Sequence, residues 1–344
     1  MIRWSFKSIN DWNEIWSPSH LSKWRIILED SPFAHVFFHP TLVRVWVDTY
    51  LPIRRLSPVF VWAKSDDGTE GFLPLVIWRR NWKNAFIRLL IPIGYSDYDY
   101  HNPIFSSYVK DMADFWRQLH YYLKENYSYD KLCIDGITDY AIDNSPKWKK
   151  NEICPYLNLA EIKDEEQLMK FFATSLRGDL RRQMRRLSSI GQFSFKKYND
   201  WQEAKTTFAN FMTEHRQKWP CAYKAPLFHQ KLLEYGFPEG IAHFSSVNIN
   251  DRPISWHLGF CFKKRFYYYM PAGCREYATY SPVKVHLFCL VKWAMETDCN
   301  LFDHLRGDET YKTGWSNGYQ HVYSYIQQSD SKLSQLKLFL LSLR

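Results

Sequence analysis

The stretch "NLFDHLRGDETYKTGW", Asn300 to Trp315, changes character partway along its length. Leu301 and Phe302 read as a strand running into a core. Asp303, Arg306, Asp308, Glu309 and Lys312 follow, broken by Gly307 and accompanied by Tyr311 and Trp315. A chain that follows a buried strand with this many charges either surfaces into an ordinary loop or delivers a polar site. The C-terminal end of a strand is where α/β proteins commonly build one. On physics alone the two readings stand even. Asp303 can orient an attacking group or pair with Arg306 or Lys312. Lys312 can present its ammonium to an oxyanion or phosphate, or tie the loop down.

The sequence on either side favours a site. A helix is expected from about 282 to 296, opened by Ser281 and Pro282 in "YSPVKV". Serine followed by proline at a helix start leaves backbone N–H groups pointing outward, which suits a phosphate or pyrophosphate. Further upstream, "AHFSSVNINDRPISWHLGFCFKKRFYYYMPAG" reads as successive strands with turns at Asn250-Asp251-Arg252 and Lys263-Lys264. Before these, "LRGDLRRQMRRL" is a helix that sets Arg181, Arg182, Arg185 and Arg186 on one broad face. Such a face can grip phosphate oxygens, or stand as a solvated surface paired with acidic neighbours.

The first half repeats this order. "SPVFVWA" and "GFLPLVIWRR" flank the turn "KSDDGTE" as a hairpin, and "FIRLLIPIG" leads into the tyrosine-rich loop "YSDYDYHNPIF". A helix over about 109–125 follows, with Met112, Phe115, Trp116, Leu119, Tyr122 and Leu123 at helical spacing. The strand "KLCIDGI" then ends in Asp and Gly, as "LFDHLRG" does later, and "DNSPKWKKNE" reads as a linker. Four elements in one order argue for a duplicated α/β unit with mixed sheets, divided into domains at 1–150 and 151–344.

Composition narrows the class. The 344 residues carry a net charge of +9, which points to anionic partners without choosing among them. The seven cysteines are odd in number and scattered, with no C-x-x-C pair. That disfavours a disulfide framework or zinc site and fits a reducing, cytoplasmic compartment. No window approaches the length of an uncharged apolar span. The C-terminal "LSQLKLFLLSLR" is expected to pack its leucines on the protein, with peripheral membrane contact as the alternative. The phosphate-loop, dinucleotide and hydrolase-elbow signatures are missing. His35 and His39 lack the glutamate of a metal-binding helix and read as structural, so no metal is expected.

The segments "YYYMPAGCREYATYSPVKV" and "LFDHLRGDETYKTGW" together resemble the CelD-like, Fem-related branch of the GNAT acetyltransferase superfamily. That branch carries a tyrosine-rich strand, a Ser-Pro-Gly helix start and the segment Phe-Asp-Phe-Leu-Arg-Gly-Asp-x-x-Tyr-Lys-x-x-Trp. "RPISWHLGF" is similar to its preceding strand, with His257 at the polar position; "LRRQMRRL" is similar to its basic helix, and "SPFAHVFFHPTLVRVW" to its N-terminal segment. The ending "YKTGW" is also distantly similar to the Phe-Lys-x-Gly-Phe of Fem aminoacyltransferases. The resemblance covers most of the chain and is densest over 240–317.

It implies two tandem GNAT-like units, the first degenerate and the second catalytic. The implied activity is acyl transfer from a thioester, with acyl-CoA as co-substrate, to an amine or hydroxyl acceptor such as an envelope sugar or peptide. Backbone N–H groups of a splayed strand pair would face the thioester carbonyl. His257 or Asp303 would take the acceptor's proton, and Lys312 would stabilise negative charge. Ser281, Pro282, Val283, Lys284 and Val285, with Tyr268, are the implied donor-binding residues. Arg181, Arg182, Arg185, Arg186, Tyr311 and Trp315 are the implied substrate contacts. Val283 stands where the family has glycine, and its Cβ is expected to crowd a pyrophosphate. Two other functions stay open: Fem-type transfer from aminoacyl-tRNA, and a non-catalytic role in polysaccharide assembly.

Overall fold

In the computed structural model, which describes residues 2–143 and 145–343, the contacts divide the chain into two units. One is Met1–Glu152 with His321–Arg344, the other Ile153–Gln320. The sequence reading ran the second domain to 344. The last strand instead returns to the first unit, where its residues pair antiparallel with 131–138 (Val322↔Thr138 to Gln328↔Lys131).

The first unit begins with β1 (Trp4–Ile9) and the helices α1 (Trp12–Ile15), α2 (Pro18–Asp30) and α3 (Pro40–Tyr50). The expected hairpin follows as β2 (Arg55–Ser65) and β3 (Glu70–Arg79), turning at Gly68, whose φ of +92° suits glycine. Then come β4 (Arg88–Pro92), the short β5 (Ile104–Phe105), α4 (Met112–Asn126) and β6 (Lys131–Thr138). The sheet order is β1-β2-β3-β4-β6 followed by the C-terminal strand, with β5 on β3. β4 and β6 are parallel, so α4 is their crossover.

The stretch expected to be a linker contains the start of β7 (Lys149–Asn158) instead. Its charged first residues, Lys149 to Glu152, are exposed and resemble a loop in composition, whereas Cys154 and Leu157 are buried.

The second unit continues with α5 (Glu165–Phe171), α6 (Thr174–Ser189), β8 (Phe193–Tyr198), α7 (Trp201–Lys218) and α8 (Phe228–Gly236). Next are β9 (Ala242–Ile249), β10 (Arg252–Phe262) and β11 (Arg265–Gly273), joined at Asn250-Asp251 and Lys263-Lys264. All four turn residues have positive φ, between 47° and 64°, as tight two-residue hairpin turns require. α9 (Pro282–Glu296), β12 (Leu301–Asp303) and the single turn α10 (Thr310–Thr313) complete the unit. The strand order is β7-β12-β11-β10-β9-β8, antiparallel except for β11 with β12.

α9 covers this sheet with Leu287, Phe288, Leu290 and Val291, which share a core with Phe266, Phe302, Leu157, Phe172 and Trp315. Each such side chain contributes about 1.5–3 kcal/mol when fully buried. The chain closes with β13 (Gly318–Gln328) and α11 (Lys332–Ser342). Strand–helix–strand crossovers between parallel neighbours thus occur once per unit, as β4–α4–β6 and β11–α9–β12.

Candidate functional site

β11 and β12 run side by side for three residues only, Arg265↔Leu301 to Tyr267↔Asp303. Beyond that point β11 continues to Gly273, and among the described residues it has no ladder partner on its β12 edge. The divergence coincides with an irregularity in the other neighbour. Leu258 opposes Met270 and Phe260 opposes Tyr267, so Tyr268 and Tyr269 both lie opposite Gly259. A bulge of this kind re-aims side chains and is common beside active sites. Gly259 is required here for space, since a Cβ would lie 2.4 Å from the His257 ring.

Tyr268 and His257 are stacked face to face, 4.6 Å between centroids with 6° between planes. Both are buried, and neither nitrogen of His257 has a partner among the described residues. Burial pushes its pKa well below the usual value, with further lowering from His243 and His286, so the ring is neutral at pH 7. His243 is equally buried and also without partners for its two nitrogens.

His286, on α9, is fully engaged. The Ser255 hydroxyl donates to Ala272 O, so His286 Nδ1–H must donate to Ser255 Oγ at 3.1 Å. Its Nε2 then accepts from Ser245 Oγ at 2.9 Å, and burial holds its pKa down to about 3. The serines and His286 come from β9, β10 and α9, a conjunction that no sequence spacing announces.

The loop after β12 is held by the residues that first drew attention to it. Asp303 is fully buried; one oxygen accepts from Arg265 Nε at 2.9 Å and the other from Leu305 N at 2.8 Å. Both oxygens are therefore occupied in fixing the loop, which leaves little for proton transfer. Arg265 is an ion-pair partner that the sequence did not suggest. Lys312, 3% exposed, donates to Arg306 O at 2.6 Å and Leu305 O at 3.3 Å and pairs with Glu309 at 2.9 Å. Leu305 adopts a left-handed backbone (φ 58°), a strain that this set of bonds sustains. Gly307 leaves room for the folded-back carboxylate, since a Cβ there would fall 2.2 Å from Glu309 Oε2.

Glu309 is the residue to which sequence reasoning gave no role. Its side chain is 46% exposed, and it acts electrostatically, with Tyr311, on the Tyr268 phenol. Burial, reinforced by those two groups, raises the pKa of that phenol well above its ordinary value. Tyr311 is partly exposed beside it. Trp315, by contrast, is sealed into the core edge-on to Phe172 at 4.8 Å, so its role is packing rather than contact with a substrate. His304 donates from Nε2 to Trp315 O at 3.2 Å, and burial lowers its pKa to about 4.

At the start of α9, Ser281 has a left-handed backbone (φ 51°, ψ 49°) and its side chain makes no cap bond. Pro282 has no N–H, and the Val283 N–H has no partner among the described residues. The Val283 side chain lies against Gly273, where a Cβ would approach Val283 Cγ2 to 2.6 Å. Val283 thus fills the space that the absent side chain at the end of β11 leaves. Lys284 Nζ is 2.6 Å from Asp179 Oδ2 on α6, and Arg182 pairs with the same carboxylate. The Lys284 hydrogen bond leads in holding that carboxyl below its ordinary range. Arg186 donates to Thr279 O at 2.8 Å and lies over the Tyr280 ring, bracing the turn ahead of α9. Arg181 and Arg185 remain on the exposed face of α6. The four arginines therefore divide, two fixing the surroundings of the α9 start and two facing solvent.

Residues 174–313 match the family model described as the acetyltransferase (GNAT) domain, a segment that runs from α6 to α10 and includes every site residue above except Trp315. No curated protein matches the chain. Among solved structures, FemX superposes at a TM-score of 0.63 with 11% identity, covering 92% of this chain and 98% of its own. A tandem GNAT protein from the clavulanic acid biosynthesis pathway gives 0.52 with 9% identity, covering 96% and 100%. A conserved protein of unknown function from Bacteroides thetaiotaomicron gives 0.53 with 10% identity, covering 94% and 99%. At these identities the likeness is one of fold, and that fold is the tandem GNAT architecture expected from the sequence. Residues 174–313 thus carry a GNAT-type acyltransferase domain.

Proposed function

We propose that this GNAT-type acyltransferase draws its acyl group from a thioester, with acyl-CoA as co-substrate, and passes it to an amine or hydroxyl of a sugar or peptide of the cell envelope. The observation that carries the reading is the divergence of β11 from β12 after Tyr267 and Asp303, beside the open start of α9. The residues present fit such a donor. The Val283 N–H and the Ser281 hydroxyl are available to a pyrophosphate, and the helix start favours negative charge. N–H groups along the unpaired edge of β11 would meet the charge developing on the thioester oxygen.

Within this reading the roles first given to three residues are redistributed. Glu309, half-exposed and held by Lys312, takes the proton of the attacking group beside Tyr268 and Tyr311. His257 supports Tyr268 from beneath, and Asp303 with Arg265 fixes the end of β12. Lys312 acts through Glu309 and the loop.

A panel of CoA thioesters in a thermal-shift assay tests the donor. A ligand at about 100 times its Kd adds roughly 2.7 kcal/mol of stability, enough to move the midpoint by several degrees. With an active donor and acceptor, Glu309→Gln should lower kcat about a hundredfold while the shift produced by the thioester persists. If no thioester shifts the midpoint, the donor assignment fails. Salt-sensitive binding of charged tRNA in its place would move the reading to Fem-type transfer.

A further inference from the structure

At one end of the first unit's sheet, elements distant in sequence converge. β2 begins at Arg55, opposite Arg79 at the end of β3, which lies opposite Arg88 at the start of β4. β6 begins at Lys131, opposite Gln328 at the end of β13. Buried Asp130 fastens α11 to this end, accepting from Arg88 N (2.7 Å), Ser334 Oγ (2.6 Å) and Lys337 Nζ (3.1 Å). The 80–87 loop between β3 and β4 therefore sits beside α11.

Ser334 and Lys337 turn inward to Asp130 and Leu338 and Leu341 on that side are half-buried, while the other leucines of the tail turn outward. Leu333, Leu336, Leu340 and Leu343 recur every three or four residues and are 47–67% exposed, with Phe339 next to them at 58%. The expectation that the tail packs its leucines on the protein thus holds for Leu338 and Leu341 and not for these four. From the adjoining loop, Trp82 and Phe86 are 61% and 59% exposed, Phe86 following Ala85 through a left-handed backbone.

Trp82 and Phe86 line a basic cleft of about 580 Å³. Arg54 and Arg80 lie over the Trp78 ring, at 4.0 and 4.6 Å from its centroid, while Arg55 and Arg79 are exposed. None of these four arginines has a carboxylate partner among the described residues, and Arg54 Nε is buried without one. Four guanidinium groups gathered without a counter-charge call for an anionic partner.

We propose that this end of the first unit docks on an anionic membrane surface. α11 lies in the interface with its leucine face toward the acyl boundary, Trp82 and Phe86 sit at headgroup level, and the arginines meet lipid phosphates. With 11 residues, α11 is far too short to cross a bilayer. A second copy of the chain is disfavoured as the occupant, since a two-fold contact would set the same unpaired arginines against one another. A single-stranded nucleic acid would use the aromatic cleft but find no stacking surface on a leucine helix.

Co-sedimentation of the full chain with phosphatidylcholine vesicles, with and without phosphatidylglycerol, tests this. Binding should require the anionic lipid and weaken as salt rises. Arg55→Glu with Arg79→Glu should lower partitioning about tenfold or more. Leu336→Glu with Leu340→Glu should remove binding even at low salt, with the circular dichroism spectrum unchanged in both variants. Failure of the folded chain to bind phosphatidylglycerol vesicles at low salt overturns the proposal, as does indifference to both pairs of substitutions. A dimer that the leucine substitutions dissolve, without vesicle binding, assigns the face to a second copy. Oligonucleotide binding lost only in the arginine pair assigns the cleft to nucleic acid.

Discussion

Asp303 and Lys312, singled out from the sequence, each hold their loop through partners that their chemistry alone did not name. Both were legible because a buried strand followed by charges is anomalous. What the sequence could not convey was the direction of each side chain. Asp303 faces Arg265, 38 positions away, and Lys312 folds back on carbonyls of its own loop. Glu309 escaped notice because it stands in the same charged run, and only its ion pair with buried Lys312 and its electrostatic effect on Tyr268 distinguish it. The hold of Asp303 and Lys312 on the loop is measurable. Removing one partner of a buried, hydrogen-bonded pair costs about 3–5 kcal/mol, so Asp303→Ala should lower the urea unfolding midpoint strongly. Lys312→Met should cost about 1–3 kcal/mol, because Leu305 O and Arg306 O lose their donor. A Lys312→Met protein of unchanged stability would show that the ammonium is not what holds this loop.

Among elements, those with a strong period were the ones legible in advance. The expected helix at 282–296 coincides with α9, and both positive-φ turns of the β9–β10–β11 meander fall where polar residues interrupt the strands. β7 was hidden because its first four residues carry three charges and no alternation. α11 was only half legible, because its leucines occupy both faces and periodicity does not say which of them point inward. The contact between β11 and α9 could not be read at all, since it matches a missing side chain on one element to a bulky one on the other. Gly273→Ala should therefore destabilise the protein by about 1–3 kcal/mol through overpacking against Val283. Combining it with Val283→Ala should recover most of the loss, and additive effects of the two substitutions would show that they do not share this space.

For the whole molecule, the duplicated strand–helix–strand order was visible in sequence because each copy repeats the same succession of patterns. The return of 321–344 to the first unit was not, since strand pairing across nearly 200 residues leaves no local trace. Another property of the whole emerges only from burial. His120, His215 and His304 are pushed down to about 4, and His229 and His286 to about 3, burial being the leading cause in every case. Unfolding returns each ring to an ordinary value near 6.5, so below that pH the unfolded chain binds more protons than the folded one. Stability must then rise with pH through this window and fall as pH drops from about 6.5 toward 4. Each histidine adds up to about 1.4 kcal/mol per pH unit there, a slope distinct from that of the paired carboxylates Asp130 and Asp179, whose contribution is lost only at lower pH. Urea unfolding midpoints should accordingly change little from histidine titration above pH 7 and decline steeply between pH 6 and 4.5. A midpoint that stays level across that interval would mean that these rings are already solvated in the folded protein.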